Sequence, residues 1–493
     1  MNTKSVSIII SSFLLIFSMG CGKDRILNIN DDPNSATYST AQLTIPLAIE
    51  GAGRTLQSSY NDMGMWLGYT ANNNGFALSQ AANSYDITAN YGQGLWDAYY
   101  LNIKQFDYVE KKAVEGNFPL YQAVAKLFMA YDYACLVDIY NNVPFSDALL
   151  KGNSFTPKYD DGSAVYDSCV QMINDAIAIL KTPATEATVS EATDNFRIIM
   201  FKGSLPDLSM WIKFANSLKL KLLVTQSKVS EKSAYLQTQA AQIDPNELLG
   251  VGDDALIDPG YLSAKGKTNP FYGNFFNAPG EAGDNYKIYH ANNYALDFYN
   301  STNDPRISYF YDKMSNGTYV GNNFGNETPV QASAIGAKRL VATDPVNFMT
   351  AAEALFTQAE AIQLGWISGN AKSVYEQGVK ASFNLIGVSK LDSTAQAYCA
   401  QDDANTNWDK ATDKIKLIIT QKWAALNYTN NLAVYNDYRR TGFPQVPRSI
   451  YTGAKAKVPL RFIYPQTEYN KNAANVKAQG TIDPQTSTVF WDK

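Results

Sequence analysis

The sequence predicts a mostly α-helical protein, with four helix pairs packed against a loop-rich region that holds little β structure. Three observations lead there. Apolar residues recur at helical spacing over long stretches. Those stretches come two by two, parted by breaks containing Gly, Pro or Asn. Two long intervening stretches are rich in Asn, Gly, Tyr and Phe, and no helical period holds in them.

The first segment is of another kind. Lys4 precedes VSIIISSFLLIFSM, an uncharged apolar run. It is shorter than the roughly 20 residues that span a bilayer, and it ends at small residues. Residues 1–20 therefore read as a signal peptide. Gly20 then stands directly before Cys21, as lipid attachment at Cys21 requires. The alternative is an ordinary cleavage site beside a chance cysteine. Free cysteines are uncommon in exported proteins, which favours the lipid.

The helix pairs come next along the chain. Residues 94–115 and 118–139 form the first, with GNF and Pro119 at the break. Residues 163–181 and 206–229 form the second, across a polar loop. Residues 347–366 and 370–386 form the third. There Ala351, Ala352, Ala359 and Ala361 allow close approach, Gly365 ends one helix and Asn370 caps the next. Residues 408–427 and 430–440 form the fourth. Helix pairs with small residues at their contacts resemble tetratricopeptide repeats; a generic helical bundle is the plainer alternative. The loop-rich stretches are 57–93 and 241–345, and the chain beyond about 441 is loop-like too. Long irregular segments in a compact protein usually carry function, and their aromatic content argues against disorder.

Composition removes several kinds of chemistry. Net charge is −5 and no basic patch points to nucleic acid. His290 is the single histidine, which bars multi-histidine zinc sites and leaves little room for histidine-based nucleophilic catalysis. DDPNSAT and VGDDALID offer oxygen ligands but lack calcium-loop spacing, so they assign no metal residue and leave a structural metal open; no cofactor is expected. Beyond Cys21 there are Cys135, Cys169 and Cys399. Their odd number argues against a disulfide framework, and they read as buried small hydrophobes; a Cys135–Cys169 bridge is the alternative. Trp96, Trp211 and Trp423 lie at helical spacing among apolar neighbours and are expected in the core. Glu353 and Glu360 share a helical face, and Arg439 and Arg440 close the last pair. Ion pairing between helices is the structural expectation for all four. A carboxylate pair or an anion grip is the functional one.

Several segments in order carry a family resemblance. They are LNINDDPNSAT after Cys21, WIKFANSLKLKLL at 211–223, NDPRISYF at 303–310 and FMTAAEALFTQAEAIQLGW at 348–366. They continue with YEQGVKASF at 375–383, ITQKWAALN at 419–427, YNDYRRTGFP at 435–444 and PLRFIYPQTEYNKNAANV at 459–476. Together they resemble the SusD/RagB family of nutrient-binding outer-membrane lipoproteins of Bacteroidetes, nearest its second SusD-like subgroup. The resemblance implies one domain over 21–493, built as a right-handed array of four tetratricopeptide-like pairs. It implies lipid anchoring in the outer membrane, facing outside. It also implies a SusC-like TonB-dependent transporter as partner, over which the protein acts as a hinged lid. The cargo would be an oligosaccharide or a peptide, captured and delivered without covalent chemistry. A helical glycan-degrading enzyme and a periplasm-facing repeat scaffold are the competing readings.

In this family the ligand face is built from the segment after the first helix and from the mid-chain insertion. Those are the two aromatic, amide-rich stretches, 57–93 and 241–345. Sugar binding needs flat apolar faces with a few placed polar groups. The expected contacts are Trp66, Tyr69, Asn72, Asn74, Phe76, Gln80 and Tyr85 from the first stretch. Tyr272, Phe276 and Tyr289 are expected from the second.

Overall fold

The computed structural model describes residues 39–150, 155–182, 199–201 and 207–492. The expected signal peptide, Cys21 and LNINDDPNSAT lie outside them. Among the described residues, nine helices run for eleven residues or more. They are α1 (Ala41–Ser58), α2 (Gln93–Gly116), α3 (Pro119–Tyr140), α4 (Gly162–Lys181), α5 (Ser209–Thr225), α6 (Ala351–Gln363), α7 (Ala371–Leu385), α8 (Lys414–Ala425) and α9 (Asn431–Thr441). Helices α2 to α9 are the four expected pairs. Two starts differ. Residues 346–349 are a strand, and Thr350 caps α6 by accepting from the Glu353 N–H. Helix α8 begins after Asp413, which accepts from the Lys416 N–H. Gly365 turns the chain after α6 at φ +73°, and Asn370 caps α7 through the Ser373 N–H.

Helix α1 has no place in the expected pairs. Its buried stripe includes Ile45, Ala48, Ile49, Ala52 and Leu56, but Pro46 and two glycines dilute the pattern. The glycines have a packing reason. A Cβ on Gly51 would lie 2.5 Å from Asn102 Oδ1 of α2, and one on Gly53 would press on Ile257 and Val346. Packing then runs α1 on α2, α2 on α3, α3 on α4, α4 on α5, α5 on α6 and α6 on α7 and α8. Helix α3 is buried nearly all round, consistent with apolar residues on every face.

Buried ion pairs tie the helices together. Lys221 of α5 meets Glu353 of α6 at 2.7 Å, and Lys422 of α8 meets Asp437 of α9 at 2.9 Å. Arg440 of α9 holds Glu360 of α6 at 2.8 Å and Asp437 at 2.9 Å. Glu353 and Glu360 are therefore helix-to-helix ties. Arg439 departs from the carboxylate expectation: its guanidinium donates to the carbonyls of Leu460 and Asp138 and lies over the Tyr435 ring. Trp96, Trp211 and Trp423 are buried, as is His290, whose Nδ1 lies 2.6 Å from the Ala332 carbonyl. Cys135, Cys169 and Cys399 are buried and free, so the Cys135–Cys169 bridge is absent.

One buried group in α3 lacks a partner. Both carboxyl oxygens of Asp132 are without a hydrogen bond, and burial holds the carboxyl well above its ordinary value. The folded state therefore keeps its proton longer than the unfolded chain does. Its stabilising contribution is complete below pH about 4 and is lost as pH rises, at roughly 1.4 kcal/mol per pH unit up to the folded value. Asp132→Asn removes this dependence. Thermal melts should show the variant gaining on the parent between pH 4 and pH 7; a difference constant with pH would refute the assignment.

The strands of the described residues make three antiparallel ribbons. Strand β1 (Thr70–Asn72) pairs with β5 (Tyr289–Ala291), β2 (Ala255–Ile257) with β6 (Val346–Met349), and β3 (Phe276–Ala278) with β4 (Glu281–Ala282). The β1–β5 ribbon links distant parts of the chain. Its register sets Asn72 opposite Tyr289, and so joins the two loop-rich stretches side by side.

Candidate functional site

A cleft of about 360 Å³ opens where these stretches meet the start of α2. Asp62 lies in the first turn of a short helix, Asn61–Trp66. Tyr91 donates its hydroxyl to Asp62 Oδ2 at 2.8 Å, and Tyr289 donates to Oδ1 at 3.0 Å. Burial raises the Asp62 carboxyl above its ordinary value, and the two hydroxyls partly offset that. The Tyr91 ring is fixed from both sides. It stacks on Trp66 at 6.1 Å and meets Phe462 edge-on at 5.1 Å. Gly92 takes φ +76° beside it, and a Cβ there would reach 2.9 Å from the Phe462 ring.

Amides and aromatic faces extend the cleft. Asn274 donates to Asn61 Oδ1 at 2.8 Å, and Asn285 donates to Asn274 Oδ1 at 2.9 Å. From Asn274 the chain enters β3, where Phe276 stacks on Tyr272 at 4.6 Å and packs on Tyr286 at 4.8 Å. Tyr272 is held from behind, since its hydroxyl accepts the Gly280 N–H at 3.0 Å. Phe276, Tyr286 and Tyr289 are half-buried. The cleft with its carboxylate is thus continued, through the Asn61–Asn274–Asn285 amides, by a run of aromatic rings. Such a surface stacks on a flat apolar ligand face and hydrogen-bonds to hydroxyls.

The ten expected ligand residues divide three ways. Tyr289 lines the cleft, Phe276 lies outside its lining beyond Asn274, and Tyr272 is behind Phe276. Asn74, Phe76 and Gln80 are exposed, but none of them lines the cleft. Trp66, Tyr69, Asn72 and Tyr85 are buried, which corrects their assignment as ligand contacts. The Trp66 indole donates to the Ala82 carbonyl at 3.0 Å. Tyr69 stacks on Trp423 and donates to its carbonyl at 2.7 Å. Tyr85 accepts from the Ser449 N–H at 2.9 Å, and Asn72 is enclosed in β1. These side chains spend their faces on the protein itself. Sequence reading missed Asn61, Asp62, Tyr91, Asn274, Asn285 and Tyr286. The dense Asn and Tyr of NYKIY and YGNFFN were the available signal.

Two larger clefts, of about 470 and 460 Å³, flank the helix Leu391–Cys399. In the first, Lys372 pairs with Asp409 and Lys380 with Asp392, each at 2.5 Å, so its charges already satisfy one another.

Known proteins share both sequence pattern and architecture with this chain. The SusD-like_2 family model, "Starch-binding associating with outer membrane", matches residues 33–465. No curated protein matches. Among solved structures, a SusD homolog of Bacteroides fragilis NCTC 9343 is similar at 23% identity and TM-score 0.73, covering 92% of this chain and 100% of its own. A SusD-like protein of Bacteroides thetaiotaomicron VPI-5482 is 23% identical, with TM-score 0.72 over 91% and 98% of the two chains. A chitin-binding SusD homolog of Flavobacterium johnsoniae gives the same identity, TM-score and coverage.

Proposed function

The chain belongs to the SusD-like family, and on that premise we propose that it is a non-catalytic nutrient-binding protein that captures an oligosaccharide at the Asp62 cleft. The observation that carries this reading is the continuation of the cleft of Asp62 and Tyr289, through the Asn61–Asn274–Asn285 amides, by the half-buried rings of Phe276 and Tyr286. The family description, which names starch binding, and the chitin-binding relative point to the same class of ligand. Capture would be followed by delivery to a SusC-like TonB-dependent transporter, with the protein moving as a hinged lid. A lipid on Cys21 would tether it to the outer membrane on the outer face.

Absence of cleavage has a physical argument. Glycoside hydrolysis generally uses two carboxylates about 5–10 Å apart. Among the described residues, Asp62 is the only acid lining the cleft.

Titration calorimetry against a panel of glycans and peptides tests the proposal. Phe276→Ala should weaken binding of the best glycan about tenfold, taking stacking on one ring as worth roughly 1–3 kcal/mol, as it is for nucleobases. Its melting temperature should move by only a few degrees, since the ring is half-buried. Peptide binding without glycan binding would sink the reading, as would new reducing ends after incubation with glycan.

A further inference from the structure

Asp62 differs from the other interior carboxylates. Glu353 faces Lys221, Glu360 faces Arg440, Asp437 faces Lys422, and Asp304 faces Arg306. Asp132 and Asp138 form no ion pair either, but Asp132 is sealed inside α3 and its neighbours, and Asp138 is enclosed and accepts from Tyr166, Asn436 and Trp491. Asp62 alone among these opens into a cleft, and no lysine, arginine or histidine among the described residues lines that cleft. Among the described residues it takes part in no ion pair.

Its hydrogen bonding is half used. A carboxylate accepts about four bonds. The protein supplies two, both from neutral phenols. Directions on both oxygens remain, beside the rings of Tyr91 and Tyr289. A half-buried carboxylate without a countercharge favours any ligand that brings one, since charge-assisted bonds strengthen as the ligand excludes water. An ammonium group supplies three donors and no acceptor, which fits what is left open. An acidic sugar would meet repulsion, with no cation to offset it.

Resting on the capture reading, we infer that the cleft selects glycans bearing a protonated primary amine over acetylated or acidic ones. Asp62 is the selecting group, and Tyr91 and Tyr289 hold its carboxylate in place.

The probes are oligosaccharides of glucosamine, of N-acetylglucosamine and of galacturonic acid, matched in length, titrated into the purified full-length protein. The glucosamine oligomer should bind about tenfold tighter than the acetylated one, and the uronate most weakly. Asp62→Asn should abolish that preference and melt within a few degrees of the parent. Asp62→Glu should keep part of the preference. If Asp62→Asn does not fold, the parent protein is titrated at about pH 6 and about pH 9: the preference should vanish as the ligand amine loses its proton, and a preference unchanged at the higher pH overturns the inference. A preference that survives Asp62→Asn, or uronate bound as tightly as glucosamine, also overturns it. Acetylated oligomer bound without any gain from the amine removes the charge selection and leaves glycan capture standing. No binding of all three removes both. A lysine-rich peptide that binds where no glycan does, and loses affinity in Asp62→Asn, overturns the glycan assignment.

Discussion

Arg306→Ala is expected to lower stability by about 3–5 kcal/mol, the usual cost of stranding one member of a buried ion pair. Arg306 is fully buried within NDPRISYF. Its guanidinium grips Asp304 through three bonds, from Nε at 2.9 Å to Oδ1 and 3.1 Å to Oδ2, and from Nη2 at 2.6 Å to Oδ2. It also donates to Gln421 of α8 at 2.8 Å and to Ser382 of α7 at 3.2 Å. Tyr398 donates to the same Asp304 carboxylate at 2.8 Å, and its ring and that of Phe383 flank the guanidinium. One side chain therefore joins the mid-chain stretch to the last two helix pairs. Removing it leaves Asp304 charged and enclosed. Arg306→Lys keeps the charge but not the fork, so it should fall between. Replacing both Arg306 and Asp304 with apolar residues should recover much of the loss. Denaturant unfolding measures all three. A loss under about 1 kcal/mol in Arg306→Ala would mean that Asp304 finds water or another partner.

Trp66→Ala should cost a similar amount, about 3–5 kcal/mol, as large-to-small changes in cores do. The indole lies among Tyr85, Tyr91, Tyr435 and Phe462, at 6.1 to 6.2 Å between ring centres. Truncation opens a cavity, leaves the Ala82 carbonyl unpaired and takes away the support behind Tyr91. Binding should weaken less than in Phe276→Ala when measured well below the melting point. Trp66→Phe should restore most of the stability. Lost binding with an unchanged melting temperature would instead return Trp66 to the ligand surface.

That contrast shows what local sequence can convey. The four pairs were legible because α2 to α9 repeat apolar residues at helical spacing and break at Gly, Pro and Asn. Helix α1 was not, because Pro46, Gly51 and Gly53 answer to neighbours rather than to helix propensity. The site was legible as two stretches rather than as side chains. Trp66 and Tyr69 look like ligand platforms by type, yet Tyr69 is enclosed by Trp423, 354 residues away. Asp62 looks ordinary by type. Its character comes from Tyr91 and Tyr289, 29 and 227 residues away. Partners at such distances leave no local trace.

The same long reach bears on how the chain acquires its structure. Gln57 donates to the Thr429 carbonyl at 2.7 Å, Trp423 to that of Leu67 at 2.9 Å and Asn431 to that of Tyr60 at 3.0 Å. The segment from α1 to β1 is thus completed by α8 and α9, near the other end. Contacts so far apart must close very long loops, and that entropy comes before any reward. During synthesis the first part of the chain must wait, with Trp66 and Tyr69 uncovered, until the last helix pair emerges. Keeping that early surface from associating with other chains is then a task for whatever accompanies the polypeptide on its way.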